Sequence, residues 1–323
     1  MSSLDGKIIL LTGGTGSFGQ KFTDTLLKEH NPKRIRIYSR GELLQYEMEK
    51  KLSDERLRFF IGDVRDKDRL SRAMNDVDIV VHAAALKQVP ACEYNPLEAI
   101  KTNIDGTKNI IEAAIDNEVE RVLGVSTDKA VHPVNLYGAT KMVAEKLLIQ
   151  GNYYSGSRKN KFSCVRYGNV FGSRGSVVPL FIEQRITGTI TITDERMTRF
   201  WITLEQGVQF VVECIENMRG GEIFVPKIPS MKVTDLARAI APEAKIKIIG
   251  IRPGEKLHEV LLTEDEARHS REFKTHYLIE PELPFWDAEK LRGGKALFEG
   301  FRYSSEINDV WLSIEEMKSL KYD

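Results

Sequence analysis

No stretch of the sequence approaches the ~20 consecutive apolar residues that a membrane-spanning helix needs, and the first residues, Met1-Ser2-Ser3-Leu4-Asp5-Gly6-Lys7, lack the basic region and apolar run of a secretory leader. The expectation is a cytoplasmic protein. Cysteine is scarce: Cys92, Cys164 and Cys214 are odd in number, widely separated and in no zinc-ligand spacing. That argues against a disulfide scaffold or a metal centre and fits reduced core thiols. Net charge is lacking too, because 47 Lys and Arg balance 47 Asp and Glu. A neutral chain has no electrostatic footprint for bulk nucleic-acid or membrane-surface binding. Internal repeats and low-complexity stretches are absent as well.

What is present is a chain of 323 residues with 41% hydrophobic residues, enough for a large α/β domain and a smaller second lobe. Ile8–Leu11 is a short apolar run ending at a glycine cluster, the pattern of a strand buried in a parallel sheet. Residues 34–38, 57–61, 78–82, 121–125 and 161–165 repeat it, with helical patterns between. One helix is predicted to open at Asn95-Pro96, with asparagine as cap and proline at the first helical position, and to run through Ile111. Alternation with short connections predicts a Rossmann-type, doubly wound parallel sheet. The cofactor-binding half is placed at 1–170, the sheet being completed by later segments, and a smaller, interleaved substrate lobe at 171–323. The charged stretch Thr263 to Lys274 reads as a solvated helix.

The first strand runs into Thr12-Gly13-Gly14-Thr15-Gly16-Ser17-Phe18-Gly19. Gly13, Gly16 and Gly19 occupy the three positions of a dinucleotide fingerprint: a tight turn, a close backbone approach to a pyrophosphate, and close helix packing. The helix that follows offers its N-terminal amides to the anion. The second strand ends in Tyr38-Ser39-Arg40-Gly41 rather than in the acidic residue that holds an NAD ribose. Ser39 can donate to a 2′-phosphate and Arg40 can pair with it, which favours NADP; Glu42 nearby leaves NAD open. Asp63, followed by Val64, can bond an adenine amine, and Ala83-Ala84-Ala85 lets backbone lie against the nicotinamide ribose.

Tyr137 and Lys141 stand four apart, on one face of a helix. An ammonium beside a phenol favours the phenolate, and Tyr137 then serves as a base toward a sugar hydroxyl while hydride leaves its carbon. Just before it lies Ser126-Thr127-Asp128-Lys129-Ala130. An acid next to an amine suits an elimination, in which one group removes a proton and another protonates a departing hydroxyl.

Taken together, the glycine run, His82-Ala83-Ala84-Ala85, Ser126-Thr127-Asp128 and Tyr137-x-x-x-Lys141 resemble the extended short-chain dehydrogenase/reductases. The Asp-Lys pair resembles the UDP-N-acetylglucosamine 4,6-dehydratases, as do the segments 85–90, 166–170, 172–179, 193–201 and 252–259, so the resemblance covers nearly the whole chain. It is closest to C5-inverting members that open pseudaminic acid or related sugar synthesis for surface glycans; Tyr137, where retaining relatives carry methionine, points the same way. Gly41 departs from the pattern, which places an aspartate there. The resemblance implies a cofactor set that also includes Thr15, Ser17, Phe18, Lys87, Asn103 and Val170. It implies a UDP-N-acetylglucosamine site in which Asn169, Arg199 and Arg252 meet the diphosphate, Val178 packs on uracil and Glu255 accepts a ribose hydroxyl. Arg174, Thr193, Met197 and Lys87 complete that site. It further implies a homo-oligomer, dimer or hexamer.

The expected reaction is C4 oxidation by Tyr137, removal of the C5 proton by a neutral Lys129 of depressed pKa, donation of a proton from Asp128 to the 6-hydroxyl, and hydride return to C6. The roles of Asp128 and Lys129 can also be exchanged or shared. A C5-retaining dehydratase, a UDP-sugar 4-epimerase and a non-catalytic NADP-bound sensor are the alternatives.

Overall fold

The computed structural model describes residues 2–156, 159–173, 175–282 and 293–320. Six parallel strands form its centre: β1 (Ile8–Thr12), β2 (Arg34–Ser39), β3 (Leu57–Ile61), β4 (Ile79–His82), β5 (Arg121–Val125) and β6 (Lys161–Val165). Their order is β3-β2-β1-β4-β5-β6, so the chain reverses direction across the sheet between β1 and β4. A crevice opens at such a reversal, beyond the carboxyl ends of the strands. β1 and β4 are almost wholly buried because helices cover both faces, hence runs such as Ile-Val-Val-His rather than alternation.

Later segments complete the sheet. Ile223–Pro226 pairs in parallel with β6, and His276–Ile279, Ser270–Glu272 and Lys295–Ala296 extend it antiparallel. A second hydrophobic core, with Phe171, Val178, Phe181, Ile192, Trp201 and Leu236, stands apart from the main one and supports the wall of the crevice opposite the sheet.

Two expectations need correction. Asn95 sits before Pro96, but its side chain donates to the Ala91 carbonyl at 3.0 Å and caps nothing. The helix it opens ends at Ile100, passes through a wider π-turn at Lys101–Asp105 and resumes as Gly106–Asp116. Of the stretch Thr263 to Lys274, only Glu264–Ala267 is helical; Ser270–Glu272 is a strand of the main sheet. Its Glu266 is drawn inward by Arg166, whose guanidinium also grips Glu145 at 2.8 Å.

Candidate active site

A cleft of about 1310 Å³ runs along the carboxyl end of the sheet, between the two cores. Its first half is built by the glycine turn. Gly13 has φ +68°, and a Cβ there would press on the Ala84 nitrogen at 2.9 Å, so only glycine fits both the turn and the contact. The helix Ser17–Glu29 starts at Gly16 with no side-chain cap and no acidic residue in its first turn, leaving its positive end to the cleft. Gly13, Thr15, Gly16, Ser17, Phe18 and Gly19 all line it, as do Ser39, Arg40, Asp63, Val64, Ala83, Ala85 and Val170. The Ser39 hydroxyl oxygen accepts from the Gln45 amide at 3.0 Å, which leaves its proton to donate outward. Arg40 is 57% exposed and 3.8 Å from Asp63. Burial works against the Asp63 charge, but Arg65, at 2.7 Å, outweighs it and holds the carboxyl below its usual range. These residues fit a dinucleotide: a cradle that a Cβ would fill, a helix terminus for phosphate and a cation at the ribose end.

Asn103 does not reach this cleft. Its amide exchanges hydrogen bonds with both backbone groups of Leu86 (2.8 and 2.9 Å) and donates to Thr140 Oγ1 (2.9 Å). Its polar atoms are spent tying the 83–88 loop to the helix Leu136–Tyr154.

That helix carries Tyr137 and Lys141. Asn135 caps it by accepting from the Gly138 amide at 2.7 Å. A Cβ on Gly138 would collide with the Lys129 carbonyl, so the helix start lies directly on the Asp128–Ala130 turn. Tyr137 thereby comes beside Thr127 and Lys129. Burial pushes its phenol up to about 12, while the Lys129 cation and a hydrogen bond with Thr127 pull it down. Lys141 donates to the Val125 carbonyl at 2.8 Å, and burial lowers its pKa. The expected lowering by Lys141 is absent: the downward pulls come from Lys129 and Thr127, and burial outweighs both, so the phenol stands above its ordinary value.

The Asp128–Lys129 ion pair is present. Lys129 Nζ donates to Asp128 Oδ1 at 3.0 Å and lies 3.6 Å from Glu259 Oε1. Burial alone would depress the lysine, but the two carboxylates outweigh it and hold its pKa above the ordinary value. The expectation of a depressed lysine fails for that reason. Asp128 is 0% exposed and lies behind Lys129, which is the member of the pair that lines the cleft. Lys87 lines it too, its pKa lowered by burial and then by Lys129.

In the second half of the cleft, Asn169, Thr193, Met197, Arg199, Arg252 and Glu255 are lining residues. Val178 is not: it is 1% exposed in the second core, and its neighbour Val177 faces the cleft. One step along a helix turns the side chain by about 100°. Arg199 lines the wall but spends NH1 on the carbonyls of Thr198 and Leu257 and NH2 on that of Lys256, with Nε 3.8 Å from Glu259, so its charge is already answered. Arg252, 53% exposed and 3.9 Å from Glu255, keeps its guanidinium toward solvent. Arg174 lies outside the described residues.

The family model for polysaccharide biosynthesis proteins matches residues 9–281. The chain belongs to this family. Among curated members it is similar to the inverting UDP-N-acetylglucosamine 4,6-dehydratase of Campylobacter jejuni subsp. jejuni serotype O:23/36 (strain 81-176), 52% identical over 97% of this chain and 96% of that one. It is also similar to a UDP-glucose 4-epimerase of Rickettsia canadensis (strain McKiel), 40% identical over 97% and 95%. Among solved structures, Pen from Bacillus thuringiensis superimposes with a TM-score of 0.91 at 39% identity, covering 98% of this chain and 97% of that one.

Three site residues of this family member escape a motif reading. Thr127 was visible only as part of a loop. Lys256 lines the cleft and donates to the Val131 carbonyl at 2.5 Å. Glu259 lines it as a buried carboxylate among three cations. A charged pair three apart after a Pro-Gly turn was the available signal for the last two; the fold alone brings them to Lys129.

Proposed function

We propose that the chain is an NADP-dependent, C5-inverting UDP-N-acetylglucosamine 4,6-dehydratase, a hydro-lyase acting in the synthesis of a surface-glycan sugar such as pseudaminic acid. The observation that carries this reading is the Asp128–Lys129 ion pair set beside Tyr137 at the floor of a dinucleotide cleft. A 4-epimerization needs hydride transfer and one acid-base group. A lysine hydrogen-bonded to a buried carboxylate has no part in that, and it has one in moving a proton from C5 to a leaving hydroxyl.

Gly13, Gly16 and the Ser17 helix end hold the pyrophosphate, and Ser39 with Arg40 takes the 2′-phosphate that separates NADP from NAD. When bound, the nicotinamide would supply a hydride acceptor for C4 and the hydride donor for C6. Tyr137, hydrogen-bonded to Thr127, works as the phenolate, a form that the Lys129 cation and the positive ring of a bound cofactor would favour, and takes the proton of the 4-hydroxyl. Lys129 rests as an ammonium and becomes a base by passing its proton to Asp128 across their 3.0 Å bond. It then takes the C5 proton and delivers it to the 6-hydroxyl, which leaves as water, and Asp128 returns the stored proton. Asp128 therefore acts through Lys129 and not directly on the sugar. Tyr137 gives C5 the proton it took from the 4-hydroxyl, on the face opposite Lys129, which inverts that centre. Every proton is accounted for, and both residues end as they began. The lobe of residues 171–323 holds the UDP-sugar through Asn169, Val177, Arg252 and Glu255, against the cofactor half at 1–170. Exposed Tyr94, Leu97 and Met142 on neighbouring helices suit burial between subunits of a homo-oligomer. Among the described residues no helix is long and apolar enough to cross a membrane.

The test is incubation of purified protein with UDP-N-acetylglucosamine and no added cofactor, followed by NMR of the product. A 4-keto-6-deoxy sugar formed without net cofactor reduction is expected. A 4-epimer would support the one competing reading with a specific basis, the similarity to the Rickettsia epimerase.

A further inference from the structure

The floor of the cleft holds a charged cluster that joins the two halves of the molecule. Asp128 and Lys129 come from the turn after β5. Arg199 comes from the strand Thr198–Ile202, and Lys256 and Glu259 from the loop before Val260–Leu262. Glu259 is at its centre and is buried. Its Oε1 lies 3.6 Å from Lys129 Nζ and 3.8 Å from Arg199 Nε, and its Oε2 lies 3.6 Å from Lys256 Nζ. Oε2 has no hydrogen bond, although it is out of solvent. A buried charge persists only where other charges answer it. Here one carboxylate answers three cations, and two of those, Arg199 and Lys256, are anchored on backbone carbonyls.

Lys129 is the member with freedom to act. The groups that face it are Asp128 on its own turn, Tyr137 on the following helix, Lys87 on the 83–88 loop, and Arg199, Lys256 and Glu259 on the second lobe. Only two of these six are carboxylates. In the reaction proposed above, Asp128 is neutralised while it stores a proton. At that moment Lys129 gains the C5 proton, and Glu259 is the carboxylate left to answer the new ammonium.

We propose that Glu259 is a positioning residue of the elimination: it holds Lys129 toward the sugar and sustains its ammonium form while Asp128 is protonated. This role rests on the dehydratase reading, but the electrostatic part can be tested without turnover. Glu259 acts through Lys129 and needs no contact with substrate.

The experiment compares the cofactor-loaded wild type with Glu259→Gln and Glu259→Asp. The first readout is carbamylation of lysines by cyanate at neutral pH, located by mass spectrometry, because cyanate attacks the free amine. Loss of an opposite charge at this range shifts a buried amine by about one unit, so Glu259→Gln should speed labelling of Lys129 about tenfold, and Glu259→Asp should restore most of the protection. The second is the pH profile of kcat with UDP-N-acetylglucosamine. Glu259→Gln should lower kcat at least tenfold with KM changed less than threefold, and move the alkaline limb about one unit toward neutrality. Unchanged Lys129 labelling, labelling gained only at Lys256, or a lower kcat with an unmoved limb would each overturn the proposal. Should Glu259→Gln fail to fold, Glu259→Met, neutral and of similar length, takes its place: faster Lys129 labelling supports the role, and unchanged labelling overturns it. Absence of dehydratase activity in the wild type would remove the function and leave the labelling result standing.

Discussion

Removing the charge of Arg166 should destabilise the protein strongly at neutral pH and much less in mild acid. Arg166 is buried and bridges Glu145, one turn beyond Lys141 on the Tyr137 helix, to Glu266 of the later segment, at 2.8 and 2.7 Å. It also donates to the Leu261 carbonyl at 3.2 Å. Arg166→Met keeps much of the stem and removes every donor, leaving two carboxyl groups in a site built around a cation. Breaking a buried pair from one side costs about 3–5 kcal/mol. Unfolding entropy of roughly 2 cal/mol/K per residue gives about 0.7 kcal/mol/K for 323 residues, so the melting temperature should fall by roughly 4–7 °C at pH 7.5. The pH dependence has a definite sign. Burial works against the Glu266 charge, but Arg166 outweighs it and holds the carboxyl below its usual range. Its contribution is therefore complete above the unfolded value of about 4.3 and fades as pH falls through the lower folded value. In the variant, burial favours the protonated acid, so the penalty shrinks as pH approaches about 4.5. Calorimetric melts of both proteins at pH 7.5 and 4.5 measure this. A drop under about 1 °C at pH 7.5, or the same drop at both pH values, would refute the reasoning.

Tyr137→Phe should lower kcat/KM by about 10²- to 10⁴-fold while the protein still purifies with dinucleotide, read by steady-state rates and absorbance of the released cofactor. Arg40→Ser should weaken NADP at least tenfold, the scale of one charged hydrogen bond, and leave NAD nearly unchanged, by calorimetric titration of cofactor-stripped protein; equal losses would contradict the 2′-phosphate assignment. Val178→Ala should cost about 1–2 kcal/mol as a cavity in the second core, whereas Val177→Ala, only half-buried against that core, should lower the melting temperature less and raise KM more. The reverse pattern would contradict the orientation of that helix.

The sheet was readable in the sequence because its strands are buried on both faces, so each is a compact apolar block; β3, β5 and β6 have the expected bounds. The glycine turn and the Tyr137 helix were readable because their spacing follows from local backbone geometry. What could not be read depends on distant partners. Thr263 to Lys274 looks solvated by composition, yet Glu266 is held by an arginine 100 residues away. Val177 and Val178 are equivalent in composition, and only the packing of the second core decides which faces inward. Asn103 occupies a plausible place, but the chain spends its amide on Leu86 and Thr140. Lys129 reads as a lysine of depressed pKa until Asp128 and Glu259, the latter from a distant segment, are seen beside it.

The central claim is that hydride is borrowed and returned while C5 loses a proton on one face and regains one on the other. The direct measurement is turnover of UDP-N-acetylglucosamine in deuterium oxide, with NMR of the initial product. One deuterium at C5, with that centre inverted in a 4-keto-6-deoxy sugar, is the predicted result. A product with C5 protium and the starting configuration, or a simple 4-epimer, would contradict it.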